Sequence, residues 1–143
     1  MVRHRSENCF RIASVDSLQD LASALAADPD VQLAVLFGSA ARDAPHRRSD
    51  LDVGVMGLRS TTRLAALAVT LARTAGREVD LIALETAPPL LRFEIARDGV
   101  VLLERASHLW SDFQARAMVD WWEWAPRARR FAAAAMARLK SAG

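Results

Sequence analysis

A chain of 143 residues is long enough to enclose one ordinary core, and 52% hydrophobic with 25% charged residues is a globular balance. No run approaches the ~20 apolar residues of a membrane span, Met1 to Phe10 has no apolar stretch behind its charges, and the single Cys9 cannot form an internal disulfide, so a cytoplasmic protein is expected. The formal charge of +2 conceals a basic end: residues 1–104 carry 12 basic and 14 acidic groups, residues 105–143 carry 7 and 3.

Leu18, Leu21, Ala22 and Leu25 recur at helical spacing behind Ser14, Asp16 and Ser17, and this helix should end near Asp28. Val31 to Phe37 is a short apolar run that closes at Gly38, as a buried strand would. Ala40 to Ser49 is polar and contains Pro45, which predicts a turn and loop. In the second strand, Asp50 to Met56, Leu51, Val53 and Val55 share one face and Asp50, Asp52 and Gly54 the other, leaving that second face free for chemistry.

Ser60, Thr61 and Thr62 offer caps for a helix striped by Leu64, Leu67, Ala68 and Leu71 and stopped by Gly76. Glu78 to Leu84 reads as a third strand, Thr86 with Pro88 as the start of another helix, and Val100 to Leu103 as a fourth strand. Beyond Arg105, Trp110, Phe113, Ala117, Trp121 and Trp124 recur at steps of three and four until Pro126, which should end that helix; a separate alanine-rich helix is expected over Arg127 to Lys140. One domain over 1–143 follows, with a catalytic core at about 15–104 and a helical region at about 105–143. The basic residues Arg127, Arg129, Arg130, Arg138 and Lys140 fit a solvated helix face, and direct binding of nucleic acid is not expected.

Carboxylates at i and i+2 of a strand leave from one face, and two like charges so close ask for a cation between them. Asp50 and Asp52 are such a pair. One cysteine and three scattered histidines make a poor zinc site, so Mg²⁺ or Mn²⁺ is the expected metal. Gly38 permits close backbone approach and Ser39 opens the following turn, where freed N–H groups could take a phosphate. Asp80 lies among Val79, Leu81 and Ile82, where an unpaired buried carboxylate would be costly; if its strand lies beside the second, it joins the pair as a ligand or a base.

These residues, written out as FGSAARDAPHRRSDLDVGV and then REVDLIAL, resemble the DNA polymerase β-like nucleotidyltransferases, whose hallmark is Gly-Ser, a spacer, Asp-x-Asp and a third Asp on a later strand. The resemblance spans roughly residues 31–104 and is nearest the minimal nucleotidyltransferases, with Arg42 and Ser49 also at familiar places; Asp43 departs from the glycine common there. It implies an α/β (α+β) fold with a small mixed sheet flanked by helices and closed by C-terminal helices. It also implies ATP as substrate, Asp50, Asp52 and Asp80 as catalytic and metal-holding residues, and Gly38, Ser39, Arg42 and Ser49 at the nucleotide.

Within this group the resemblance implies an antitoxin that attaches AMP to a hydroxyl, a tyrosine, of a HEPN-type toxin. Two alternatives stay open: transfer to a small molecule such as an aminoglycoside, and a silent relative that neutralises its partner by contact alone. His4, His46 and His108 are isolated and take no role, and the tryptophans serve the core or a contact surface.

Overall fold

The computed structural model describes residues 15–41 and 50–142. Its elements, in chain order, are α1 (Val15–Ala26), β1 (Leu33–Phe37), a 3₁₀ turn (Gly38–Ala40), β2 (Leu51–Met56), α2 (Thr61–Ala75), β3 (Val79–Ala83), a second 3₁₀ turn (Leu84–Thr86), α3 (Pro89–Asp98), β4 (Val100–Glu104) and α4 (Leu109–Ser141). The strands form one mixed sheet in the order β3-β2-β1-β4. β1 is antiparallel to both β2 and β4, while β2 and β3 are parallel and joined through α2.

Alternation along the strands divides the core in two. Ala34, Leu36, Leu51, Val53 and Val55 are buried with Leu21 and Leu25 of α1 and Leu67 and Leu71 of α2. On the other face Leu33 and Val35 pack with Leu84, Ile95 and Ala96 and with Phe113 and Ala117 of α4. The result is a sheet between two helical layers. Ser60 caps α2 by accepting from the Arg63 N–H, and Gly76 ends it in a left-handed conformation.

Both faces of the sheet are therefore covered over most of their length, which corrects the expectation of one free face. A Cβ at Gly54 would strike Leu84, so Leu84 covers the second face at Gly54, while the end that carries Asp50 and Asp52 is left more open. The helix after β3 begins at Pro89 rather than at Thr86, because Leu84–Thr86 forms a 3₁₀ turn first.

Pro126 does not end its helix. α4 is continuous for 33 residues with Pro126 inside it. Proline removes one N–H and crowds the carbonyl four residues before it, but Pro126 and Trp122 both lie on exposed positions, where that carbonyl can turn to water. The preceding turns are held by packing: Trp121 stacks on Phe93 at 5.2 Å, Trp110 lies 5.7 Å from Phe113, and Arg92 of α3 pairs with Asp120 at 2.8 Å. Trp124 tilts against Trp121, while Trp122 is 69% exposed. Among the described residues no helix is long and apolar enough to cross a membrane.

Candidate active site

The site is assembled by pairing of three strand ends. Phe37, the last residue of β1, stands opposite Asp52 of β2, so the Gly38–Ala40 turn starts beside that carboxylate. Gly38 has φ 75°, a left-handed conformation that side chains other than glycine's adopt at a cost, and a Cβ there would run into Oδ2 of Asp52. Ser39 is exposed at the head of the turn.

Parallel pairing of β2 with β3 sets Asp52 directly across from Asp80. Strands so paired lie about 4.8 Å apart, and side chains of partnered residues leave on the same face. Asp50 stands just before β2, two positions from Asp52, and so completes a row of three carboxylates at the open end of the sheet. Asp50 and Asp80 are exposed and Asp52 is half-buried. Asp80 is exposed although its neighbours in sequence are apolar: Val79 turns into the α2 side of the core, and Asp80 faces the opposite side at the start of β3, the strand at the end of the sheet order, where no described helix covers it.

Partial burial, and then the negative charges of Asp80 and Asp50, push the Asp52 carboxyl above the ordinary carboxylate range. No cation is paired with any of the three among the described residues. Such a donor set fits a hard divalent ion, since it offers only oxygen ligands and a repulsion for the ion to relieve. Among the described residues no three His, Cys, Asp or Glu side chains close into a metal cage; Mg²⁺ does not need one, because it binds through one or two carboxylates plus substrate phosphates and water.

Arg42 and Ser49 lie outside the described residues, as do Asp43, His4, His46 and Cys9. His108 only begins α4, where its carbonyl accepts from the Ser111 hydroxyl. Sequence reasoning missed Leu84, whose side chain covers the sheet face at Gly54, next to the carboxylate end. It also missed a cavity of about 400 Å³ at the far ends of β2 and β3, lined by Arg59, Glu85, Arg92, Phe113 and Arg116. These residues come from distant parts of the chain and share no local pattern that could have flagged them.

The family described as "Polymerase beta, Nucleotidyltransferase" matches residues 19–108, which takes in all three strands of the site. The chain belongs to the polymerase beta nucleotidyltransferase family. One curated relative, the protein adenylyltransferase MntA of Shewanella oneidensis, is 34% identical over 73 residues, which are 50% of this chain and 52% of the relative. The match therefore spans about half the length of that protein.

Solved structures agree with this nucleotidyltransferase fold. A toxin–antitoxin crystal structure with AMP-PNP superposes with a TM-score of 0.75 at 23% identity, over 83% of this chain and 98% of that one. A chain of the MntA–HepT toxin–antitoxin gives 0.71 at 20% identity, over 84% and 97%. A chain from a tri-AMPylated Shewanella oneidensis HEPN toxin in complex with its MNT antitoxin gives 0.70 at 20% identity, over 84% and 96%.

Proposed function

We propose that this protein is a cytoplasmic protein adenylyltransferase, an antitoxin that transfers AMP from ATP to a tyrosine hydroxyl of a HEPN-type toxin. The observation that carries the reading is the register of Asp52 against Asp80 with Gly38 closing over Asp52. The relative named protein adenylyltransferase supports transfer to a protein, and the related toxin–antitoxin structures, one with AMP-PNP and one with a tri-AMPylated HEPN toxin, support the nucleotide and the partner.

In this reading Asp50, Asp52 and Asp80 hold Mg²⁺ or Mn²⁺, which when bound supplies positive charge against the phosphates and the carboxylates alike. Gly38 keeps the space beside Asp52 clear, so that the triphosphate can lie against the turn and accept hydrogen bonds from the Ser39 hydroxyl and nearby N–H groups. The family resemblance gives Arg42 and Ser49 a nucleotide-binding role as well. The acceptor oxygen attacks the α phosphorus, the bond from that phosphorus to the bridging oxygen breaks, and pyrophosphate leaves. The hydroxyl proton passes to a carboxylate, a role this reading gives to Asp80, which is exposed on the strand beside Asp52.

The test is transfer of label. With Mg²⁺ and the protein encoded by the neighbouring gene, label from α-labelled ATP should become covalently attached to that protein and label from γ-labelled ATP should not. Attachment of the γ label, or of neither while a stable complex forms, would rule the reading out.

A further inference from the structure

The last helix outruns the body on which it packs. Along α4 the contacts recur at steps of three and four: Phe113 and Ala117 are buried, Trp121 stacks on Phe93, Ala125 is buried and Ala128 half-buried. The same rhythm carries on through Phe131, Ala135 and Leu139, on the same side of a helix of 3.6 residues per turn. There none of the described residues buries it: Phe131 is 77% and Leu139 71% exposed. Every residue from Arg129 to Ala142 is exposed, so roughly 20 Å of helix stands clear of the body at 1.5 Å per residue.

Large side chains alternating with alanines leave the relief into which a second helix packs closely. The charges beside this stripe select the occupant. Between Arg127 and Ala142 there are Arg127, Arg129, Arg130, Arg138 and Lys140 and no carboxylate. A second copy would set two such cationic flanks against each other, whereas a helix with Asp or Glu beside its own apolar stripe would be drawn in.

We propose that residues 128–142 form a docking arm for an acidic amphipathic helix of the protein that receives the nucleotide. This rests on the adenylyl-transfer reading above. The arm holds the acceptor protein through residues other than the carboxylates, and so raises the concentration of its hydroxyl at Asp52 and Asp80.

The experiment measures affinity and transfer with the full chain and the protein encoded by the neighbouring gene. Two variants are compared with wild type: Phe131→Ala/Leu139→Ala, which keeps helix propensity, and Arg129→Glu/Arg130→Glu. Circular dichroism and Tm confirm folding, which should hold because all four side chains are exposed. Binding of the acceptor should weaken by at least about tenfold in both variants, the charge reversal should abolish its salt dependence, and acceptor KM should rise while ATP KM stays fixed.

Variants that bind and transfer at wild-type acceptor KM would overturn the docking arm and leave the catalytic reading standing. A complex lost with the arm but never showing transfer would support the arm as a surface and overturn the catalytic reading. A wild-type homodimer that the variants dissociate, or a loss confined to anionic vesicles or RNA, would assign the arm to another occupant and overturn the proposal.

Discussion

Asp52 of β2 and Asp80 of β3 are paired partners on adjacent parallel strands, and Gly38 approaches Asp52 so closely that no side chain fits between them. With Asp50, three carboxylates converge at this point of the fold. An arrangement that sets like charges side by side is unfavourable in the free protein and becomes useful once a cation and a polyphosphate arrive.

Asp52→Asn separates these two states. Transfer should fall by on the order of 10²–10³ or more, the range for losing one electrostatic contact at a reacting phosphate or carbonyl. Thermal stability of the metal-free protein should hold or rise, because the amide removes the repulsion from Asp80 and Asp50. Initial rates and Tm on the same preparations check both, and a lower Tm with unchanged rate would contradict the assignment.

The pH dependence has a definite sign. The Asp52 carboxyl in the folded chain is pushed above its unfolded value of 3.8, first by burial and then by Asp80 and Asp50. Between those two values the folded state binds more protons than the unfolded one, so this group's contribution to stability is full below the lower value and is lost as pH rises through the upper one. Mg²⁺, which binds the ionised form, should offset the loss. Subtracting the Tm profile of Asp52→Asn from that of wild type isolates the effect, and a difference that grows in the opposite direction would refute it.

Gly38→Ala tests the close approach. A left-handed residue with a side chain costs roughly 1–2 kcal/mol, and the added Cβ must displace the Asp52 carboxylate. Urea unfolding should show that modest loss, while transfer should drop by at least about tenfold at a temperature where the variant is fully folded. Equal activity would mean that Asp52 need not stay where the structure sets it.

Gly54 and Leu84 should be coupled. Gly54→Ala alone forces Leu84 aside and is expected to destabilise by about 1–3 kcal/mol, as overpacking does. In the Leu84→Ala background the same change should cost much less, leaving an interaction energy above ~0.5 kcal/mol in the double-mutant cycle. Additive effects would show that the two side chains do not compete for the same space.

How much of this was legible beforehand depended on whether the signal was local. Leu51, Val53 and Val55 alternate with Asp50, Asp52 and Gly54, so the strand and its two faces could be read directly; Ser60 and Gly76 likewise bracket α2. The parallel pairing that sets Asp80 beside Asp52 is non-local, and the sequence left it as a condition. Exposure of Asp80 could not be inferred from its apolar neighbours, because it depends on β3 standing at the end of the sheet order with no described helix over that end. Pro126 misled for a similar reason: its local rule holds for an isolated helix, whereas α4 is held by Trp121 on Phe93 and by Arg92 on Asp120, contacts made across the chain. The cavity between Arg59, Arg92 and Arg116 has no sequence signature at all.

The most direct measurement is the intact mass of the protein encoded by the neighbouring gene after incubation with this chain, ATP and Mg²⁺, with Asp50→Asn/Asp52→Asn as control. Adenylyl transfer predicts a gain of one or more AMP masses on a tyrosine, absent without Mg²⁺ and absent with the variant. An unmodified partner bound equally well by wild type and variant would contradict it, and would leave the three carboxylates without a catalytic role.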